Sequence, residues 1–338
     1  MRLIAIDAGF SNIKVTFYNE DGALQFDKYI SSVAKIDNAL ELDNDVMFNL
    51  PGTTDTYVMG AAALKLGRNY LIDLKDYESL KSVYPVWVSY ILTKYGGIDS
   101  FDHVIIGLSL AFSDKADDLL SYLYDSLMIE KDNYFYVLPQ ALSCKLGYSL
   151  KGLDISDTKS GSMGETKLEN FIILDGGFYT LDWATVIGSK ASAGAAVGIK
   201  DSGVIRIVYN IVDYLFKNYQ MKVSLKEGQN ILDNEGVFVR RGRRYDISEQ
   251  VKEFTKKYIG DVFDLLENQA SDSLDSSDGI ICVGGLAYFL AKYENDPDII
   301  AEIEKHVSRS FLHYPKRLSE FFNSYSYLKA GEKMLGLI

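Results

Sequence analysis

The sequence is short of cysteine, of long apolar runs and of basic residues, and each shortage excludes something. Only two cysteines occur among 338 residues, Cys144 and Cys282, each inside an apolar run. That placement points to buried thiols in a reducing compartment rather than to a disulfide framework. No segment approaches the roughly 20 consecutive apolar residues that cross a bilayer. The first residues, MRLIAID, read as a strand, with Asp7 interrupting any signal-peptide core. A cytoplasmic protein without membrane contact is therefore expected. Lys plus Arg total 35 against 47 Asp plus Glu, a net charge of −12. That balance argues against direct nucleic-acid binding, which depends on neutralising phosphates. The one dense basic run, Arg240-Arg241-Gly242-Arg243-Arg244, sits between Phe238-Val239 and Tyr245-Asp246. It reads as a solvated hairpin turn, with a partner-binding patch as the alternative.

What is present is an internal repeat. Residues 4–14 read IAIDAGFSNIK and residues 172–182 read IILDGGFYTLD, so Asp7 matches Asp175, Gly9 matches Gly177 and Phe10 matches Phe178. The offset of 168 residues is almost half the chain, as two domains of common plan would give. Each copy continues into a β-rich run ending in turn residues, and so predicts a β-hairpin opening its domain. Elsewhere strands and helices alternate. Helical spacing marks residues 86–95, 114–128 and 140–148, with strands at 103–110 and 134–138. Residues 151–168 are polar, rich in Gly and Ser and aperiodic, which suggests a linker or loop. In the second half, an apolar stripe from Val204 to Leu215 predicts a helix capped by Asp201 or Ser202. Asp246-Ile247-Ser248-Glu249 suggests a capping box for a helix carrying Val251 to Leu265. An apolar strand at 279–283 runs into Gly284-Gly285-Leu286-Ala287 and a further helix to Tyr293. Alternation of this kind implies an α/β fold with mostly parallel central sheets.

An Asp-x-Gly turn after a buried strand has a physical use. Glycine lets backbone amides approach a phosphate with no Cβ in the way, and a row of amides makes an anion-binding concavity. Ser11, Asn12 and Thr180 add small donors, and Lys14 adds a positive charge. A carboxylate beside phosphate, Asp7 or Asp175, makes sense when a hydrated Mg²⁺ lies between them. One such turn alone is an ordinary hairpin turn; two at half-chain spacing point to a polyphosphate held from both sides. The Gly284-Gly285 turn offers a flat backbone surface for a nucleobase and helix amides for a phosphate.

These residues resemble the actin, sugar-kinase and heat-shock ATPase superfamily, and most closely the ParM-type bacterial actins that segregate plasmids. IAIDAGFSNIKV is similar to the family's first phosphate motif, FIILDGGFYTLDWA to its second and IICVGGLAYFLA to its adenosine motif. VIIGLSLAF resembles the strand that precedes the family's first connecting region, with Ser109 where proline is usual. GVFVRRGRRYDISEQVKEF resembles the hairpin and helix of the ParM branch, and NSYSYLKAGEKML the closing helix, with Ser326 where glycine is common. The resemblance implies an actin-like α/β fold of two related domains with nucleotide bound between them. Domain I is expected at 1–160, with an inserted subdomain at about 31–85 and closure by 320–338. Domain II is expected at 161–319, with an insert at about 205–275. ATP or GTP with Mg²⁺ is the implied ligand, hydrolysed with Gln140 positioning the attacking water and Asp175 polarising it. Asp7 and Asp175 would hold Mg²⁺ through water. Nucleotide would also meet Gly9, Ser11, Asn12, Lys14, Gly176, Gly177, Tyr179, Thr180, Gly284, Gly285 and Leu286. The implied partners are further copies of the chain, in a filament, and a DNA-binding adaptor at a centromere-like site. A small-molecule kinase of the same superfamily is the competing expectation, although no segment stands out as a sugar-recognising loop. A peptide-binding chaperone would need a substrate domain for which the chain has no room.

Overall fold

Leu3–Ala8 is apolar except for Asp7 and is buried throughout, so it forms the central strand β1 of the first half. The protein is seen here in a computed structural model, which describes residues 1–36, 47–66, 70–74, 76–145, 169–188, 190–315 and 320–338, without the side chains of 191–195. Two compact units partition the chain: Met1–Gly152 with Phe321–Ile338, and Leu153–Glu320.

In the first unit, β1 pairs antiparallel with β2 (Asn12–Tyr18), and β2 pairs antiparallel with β3 (Leu24–Ile30). Three short strands, β4 (Val33–Ile36), β5 (Met47–Asn49) and β6 (Thr56–Met59), make a separate antiparallel sheet ahead of α1 (Gly60–Lys65). Helix α2 (Tyr77–Lys94) starts nine residues before the stretch that helical spacing marked. The cause is a capping box at Asp76 and Ser79, and Pro85 is carried inside the helix where its neighbours Tyr84 and Val86 are fully buried. β7 (His103–Leu108) then pairs parallel with β1. After α3 (Ala116–Leu127), β8 (Phe135–Pro139) pairs parallel with β7. The sheet order is β3-β2-β1-β7-β8.

The second unit repeats that order. β9 (Phe171–Gly176), β10 (Thr180–Ile187) and β11 (Lys190–Lys200) are antiparallel neighbours, so both copies of the repeat are hairpins as expected. The chain continues through α4 (Ile205–Tyr219), α5 (Leu225–Asp233), the hairpin β12 (Val237–Arg240) and β13 (Arg243–Asp246), and α6 (Ser248–Asp275). β14 (Ile280–Val283) pairs parallel with β9, and α7 (Gly284–Lys292), α8 (Pro297–Ile303) and β15 (Leu312–His313) complete a sheet ordered β11-β10-β9-β14-β15. Helix α9 (Phe322–Met334) returns to the first unit and packs on β1, β2 and β7. Gly331 allows that approach, because a Cβ there would lie 2.8 Å from Ile105 Cγ1.

Three local expectations are corrected. Neither Asp201 nor Ser202 caps α4, whose N-cap is Val204 without a side-chain bond; Asp201 instead accepts from the Tyr179 and Tyr209 hydroxyls. No capping box opens α6, since Asp246 bonds the Ser248 amide and hydroxyl rather than the Glu249 amide. A 3₁₀ turn at 141–143, not a regular helix, follows Gln140. Residues 146–148 of the expected helix, and the 151–168 stretch, lie outside the described residues. The basic run forms the expected turn: Arg241 and Gly242 both have positive φ, at 49° and 75°, as a two-residue primed turn requires. Both cysteines are buried and neither forms a disulfide, and burial pushes the Cys282 thiol well above its usual range. Among the described residues no helix is long and apolar enough to cross a membrane.

Candidate functional site

In the first unit the site grows from the β1–β2 turn. Asp7 is 2% exposed and stands opposite Lys14 in the antiparallel register. Lys14 Nζ donates to Asp7 Oδ2 at 3.3 Å. Gln140 Nε2 donates to Asp7 Oδ1 at 3.0 Å. An ionised carboxylate only accepts, so the Gln140 amide must turn its NH₂ to Asp7 and keep its carbonyl oxygen as an acceptor for another group. The ladder places Gln140 there: its backbone amide bonds Leu108 O at 2.8 Å, one step beyond the β7–β8 pairing. Ala141 then takes φ of 41°, an uncommon value for a residue with a side chain, and turns the chain away.

The turn itself is closed by Gly9 N to Asn12 O at 3.1 Å, while Asn12 Nδ2 bonds Ser11 Oγ at 2.8 Å. Ser31, fully buried, fixes it from behind: its hydroxyl donates to Phe10 O and its amide to Ser11 O. Sequence reasoning missed Ser31, because nothing local marks a serine two turns downstream as a support. Ser109, standing where proline was expected, caps the 3₁₀ turn after β7 by accepting from Ala111 N.

In the second unit three glycine corners meet. Gly176 bridges to Gly284, and a Cβ on Gly284, whose φ is +69°, would lie 2.4 Å from Asp175 Oδ1. A Cβ on Gly176 would meet Leu286 Cβ at 2.5 Å, and one on Gly285 would meet Val204 Cγ2 at 2.7 Å. The third corner, Gly203, was not singled out in the sequence. Its Cβ would strike Gly177 O at 2.5 Å, and the adjacent Val204 and Ile205 amides bond Gly177 O and Phe178 O. Thr180 Oγ1 donates to Asp182 Oδ2 at 3.1 Å, and the Tyr179 hydroxyl ties to Asp201. Leu286 is fully buried in the core, so only its backbone can face a ligand.

A buried tyrosine from a long helix lies near the aspartate of each turn. Tyr84 of α2 donates to Gly107 O at 2.8 Å, and burial raises its pKa, with the charge of Asp7 adding to the effect. Tyr258 of α6 is raised in the same way by burial and then by Asp175. Asp182 is a third residue that the sequence reading passed over. It occupies the place of Lys14 in the repeat and pairs with Asp175 across the hairpin, each 1% exposed.

Comparison with solved structures now decides the architecture. An archaeal actin homolog (Ta0583) superposes with a TM-score of 0.72 at 15% identity, over 98% of this chain and 100% of that one. The fold is actin-like. This actin-like chain also matches the subunit of a 15-stranded ParM filament from Clostridium botulinum, with a TM-score of 0.71 at 14% identity, over 98% and 99% of the two chains. ParM from Bacillus thuringiensis with ADP gives 0.59 at 15% identity, over 100% and 99%. Residues 173–293 match the family model described as archaeal actin homologue MreB-like, C-terminal. No curated protein sequence matches.

Proposed function

We propose that this protein is an actin-like ATPase that binds Mg-nucleotide with its two Asp-x-Gly turns, hydrolyses it and assembles into filaments. The observation that carries the reading is the duplicated turn: an aspartate ends the central strand of each of two sheets with the same strand order. The actin-like fold supports it, and solved relatives include an archaeal homolog in complex with ADP and ParM with AMPPNP.

The residues present fit a hydrated Mg²⁺. In the second unit Asp175 and Asp182 offer hard carboxylate oxygens opposite one another, and Gly284, lacking a Cβ, keeps the space beside Asp175 Oδ1 open; Asp7 offers a buried carboxylate in the first unit. Asp7 and Asp175 would hold the ion through water, and its chemistry is to neutralise charge on the phosphates. Backbone amides around Gly9 and Gly177 receive phosphate oxygens, Lys14 adds a positive charge, and Gly284-Gly285 faces the adenosine. The Gln140 carbonyl, left as an acceptor by the bond to Asp7, orients the attacking water and takes up its hydrogen bond. Filament growth by head-to-tail addition would follow nucleotide state, with an adaptor protein carrying the polymer to plasmid DNA in the cytoplasm.

The test is calorimetry and phosphate release on Asp175→Ala. Loss of Mg²⁺-dependent nucleotide binding, or of turnover, is expected. Unchanged affinity together with unchanged hydrolysis would remove the two-turn reading. Phosphorylation of a small molecule, with the chain monomeric in every triphosphate, would replace the filament reading by a kinase.

A further inference from the structure

Away from the phosphate turns, Asp264 and Glu267 project from one face of α6, three residues apart. His306 meets them from the turn after α8, where its amide bonds Ile303 O at 3.0 Å. His306 Nδ1 lies 3.1 Å from Glu267 Oε2 and 3.6 Å from Asp264 Oδ1. One ligand atom from each of the three residues falls within 4.8 Å of the others. Neighbouring ligands on one divalent ion with bonds of about 2.1 Å stand roughly 3–3.5 Å apart, close to the two separations from His306 Nδ1. The imidazole is held in place: its ring stacks on Phe263 at 6.4 Å and 17°, and Phe263 is a core residue 1% exposed.

We propose that Asp264, Glu267 and His306 form a cation site for a borderline transition ion such as Zn²⁺. Two carboxylates and one imidazole match that ion's ligand preference better than Mg²⁺, which favours an all-oxygen shell. The carboxylates are exposed and the imidazole is not, so water completes the coordination from the solvent side. A bound ion ties α6 to the segment after α8, with Glu267 three positions before the non-helical residue Ala270. It therefore stabilises the second unit. The site owes nothing to the nucleotide reading, and either can fail alone.

The experiment uses the full chain, stripped with chelator and free of nucleotide, titrated with zinc chloride by calorimetry and followed by thermal unfolding. One saturable equivalent and a raised unfolding midpoint are expected. His306→Gln and Glu267→Gln should each weaken binding about tenfold or more. Asp175→Asn and His103→Gln should leave it unchanged. Glu267 is exposed, so its variant tests the site even where His306→Gln folds poorly. No saturable binding, binding that survives both substitutions, or binding lost with His103→Gln would each overturn the proposal and leave an ordinary ion pair.

Discussion

The two central sheets share a strand order, yet the carboxylate ending the first strand of each meets different company. Asp7 faces Lys14 and accepts from Gln140, so its charge is balanced within the first unit. Asp175 faces Asp182 across the same hairpin register, and Gly284, lacking a Cβ, leaves room beside its Oδ1. Like charges directly opposite one another disfavour a hairpin, and burial raises that cost unless a proton or cation intervenes. One backbone plan therefore carries two electrostatic tasks. The first turn is built to hold still without help. The second sets two buried carboxylates opposite one another.

The largest expected effect tests the geometry of this contrast. Gly284→Ala should destabilise the second unit by about 2–4 kcal/mol, because its φ of +69° strains any side chain and the Cβ has no room. Gly9→Ala, with its nearest neighbour at 3.4 Å and no positive φ, should cost less than about 1 kcal/mol. Urea unfolding measures both, and equal losses would erase the asymmetry.

Catalysis gives the next contrast. Gln140→Ala should spare nucleotide binding and slow phosphate release at saturating nucleotide by about tenfold or more, because a water-orienting group acts chiefly in the transition state. Wild-type turnover would reduce Gln140 to a partner of Asp7.

Charge removal sharpens the comparison further. Without Mg²⁺, Asp182→Asn should stabilise the chain by about 1 kcal/mol by relieving the carboxylate pair, whereas Lys14→Gln should destabilise it by about 1 kcal/mol. Thermal unfolding at low salt reads both signs. If they agree, the two turns are electrostatically alike.

The smallest effect is one of ionic strength. At a net charge of −12, assembly with triphosphate should strengthen as salt rises to moderate concentration, since screening reduces self-repulsion. Light scattering across a salt series checks it, and a steady decline would point to attractive charge pairs in the contact.

Much of the fold was legible because it rests on patterns that local chemistry enforces. Both hairpins, the strand at Ile280–Val283 and the Arg241-Gly242 turn follow from apolar runs and from glycine, which tolerates positive φ. The start of α2 was not, since Pro85 interrupts the reading while tertiary burial on both sides overrides it. Nor were the caps of α4 and α6, where Asp201 and Asp246 had equally good local partners and took them. Within the site, Asp7, Asp175 and the glycines stood out by repetition. Asp182 was visible in the same repeat but acquires its meaning only once the register sets it against Asp175.

What the sequence determined by itself is the duplicated strand-turn-strand and the alternation of elements, because periodicity and glycine placement act over a few residues. What only tertiary structure decided are contacts between residues far apart in the chain. Ser31 braces the first turn, Gln140 reaches Asp7, Gly203 backs against Gly177, and His306 joins Asp264 and Glu267. Each depends on which surfaces the sheets and helices bury together, and no local pattern encodes a meeting across more than a few turns of chain.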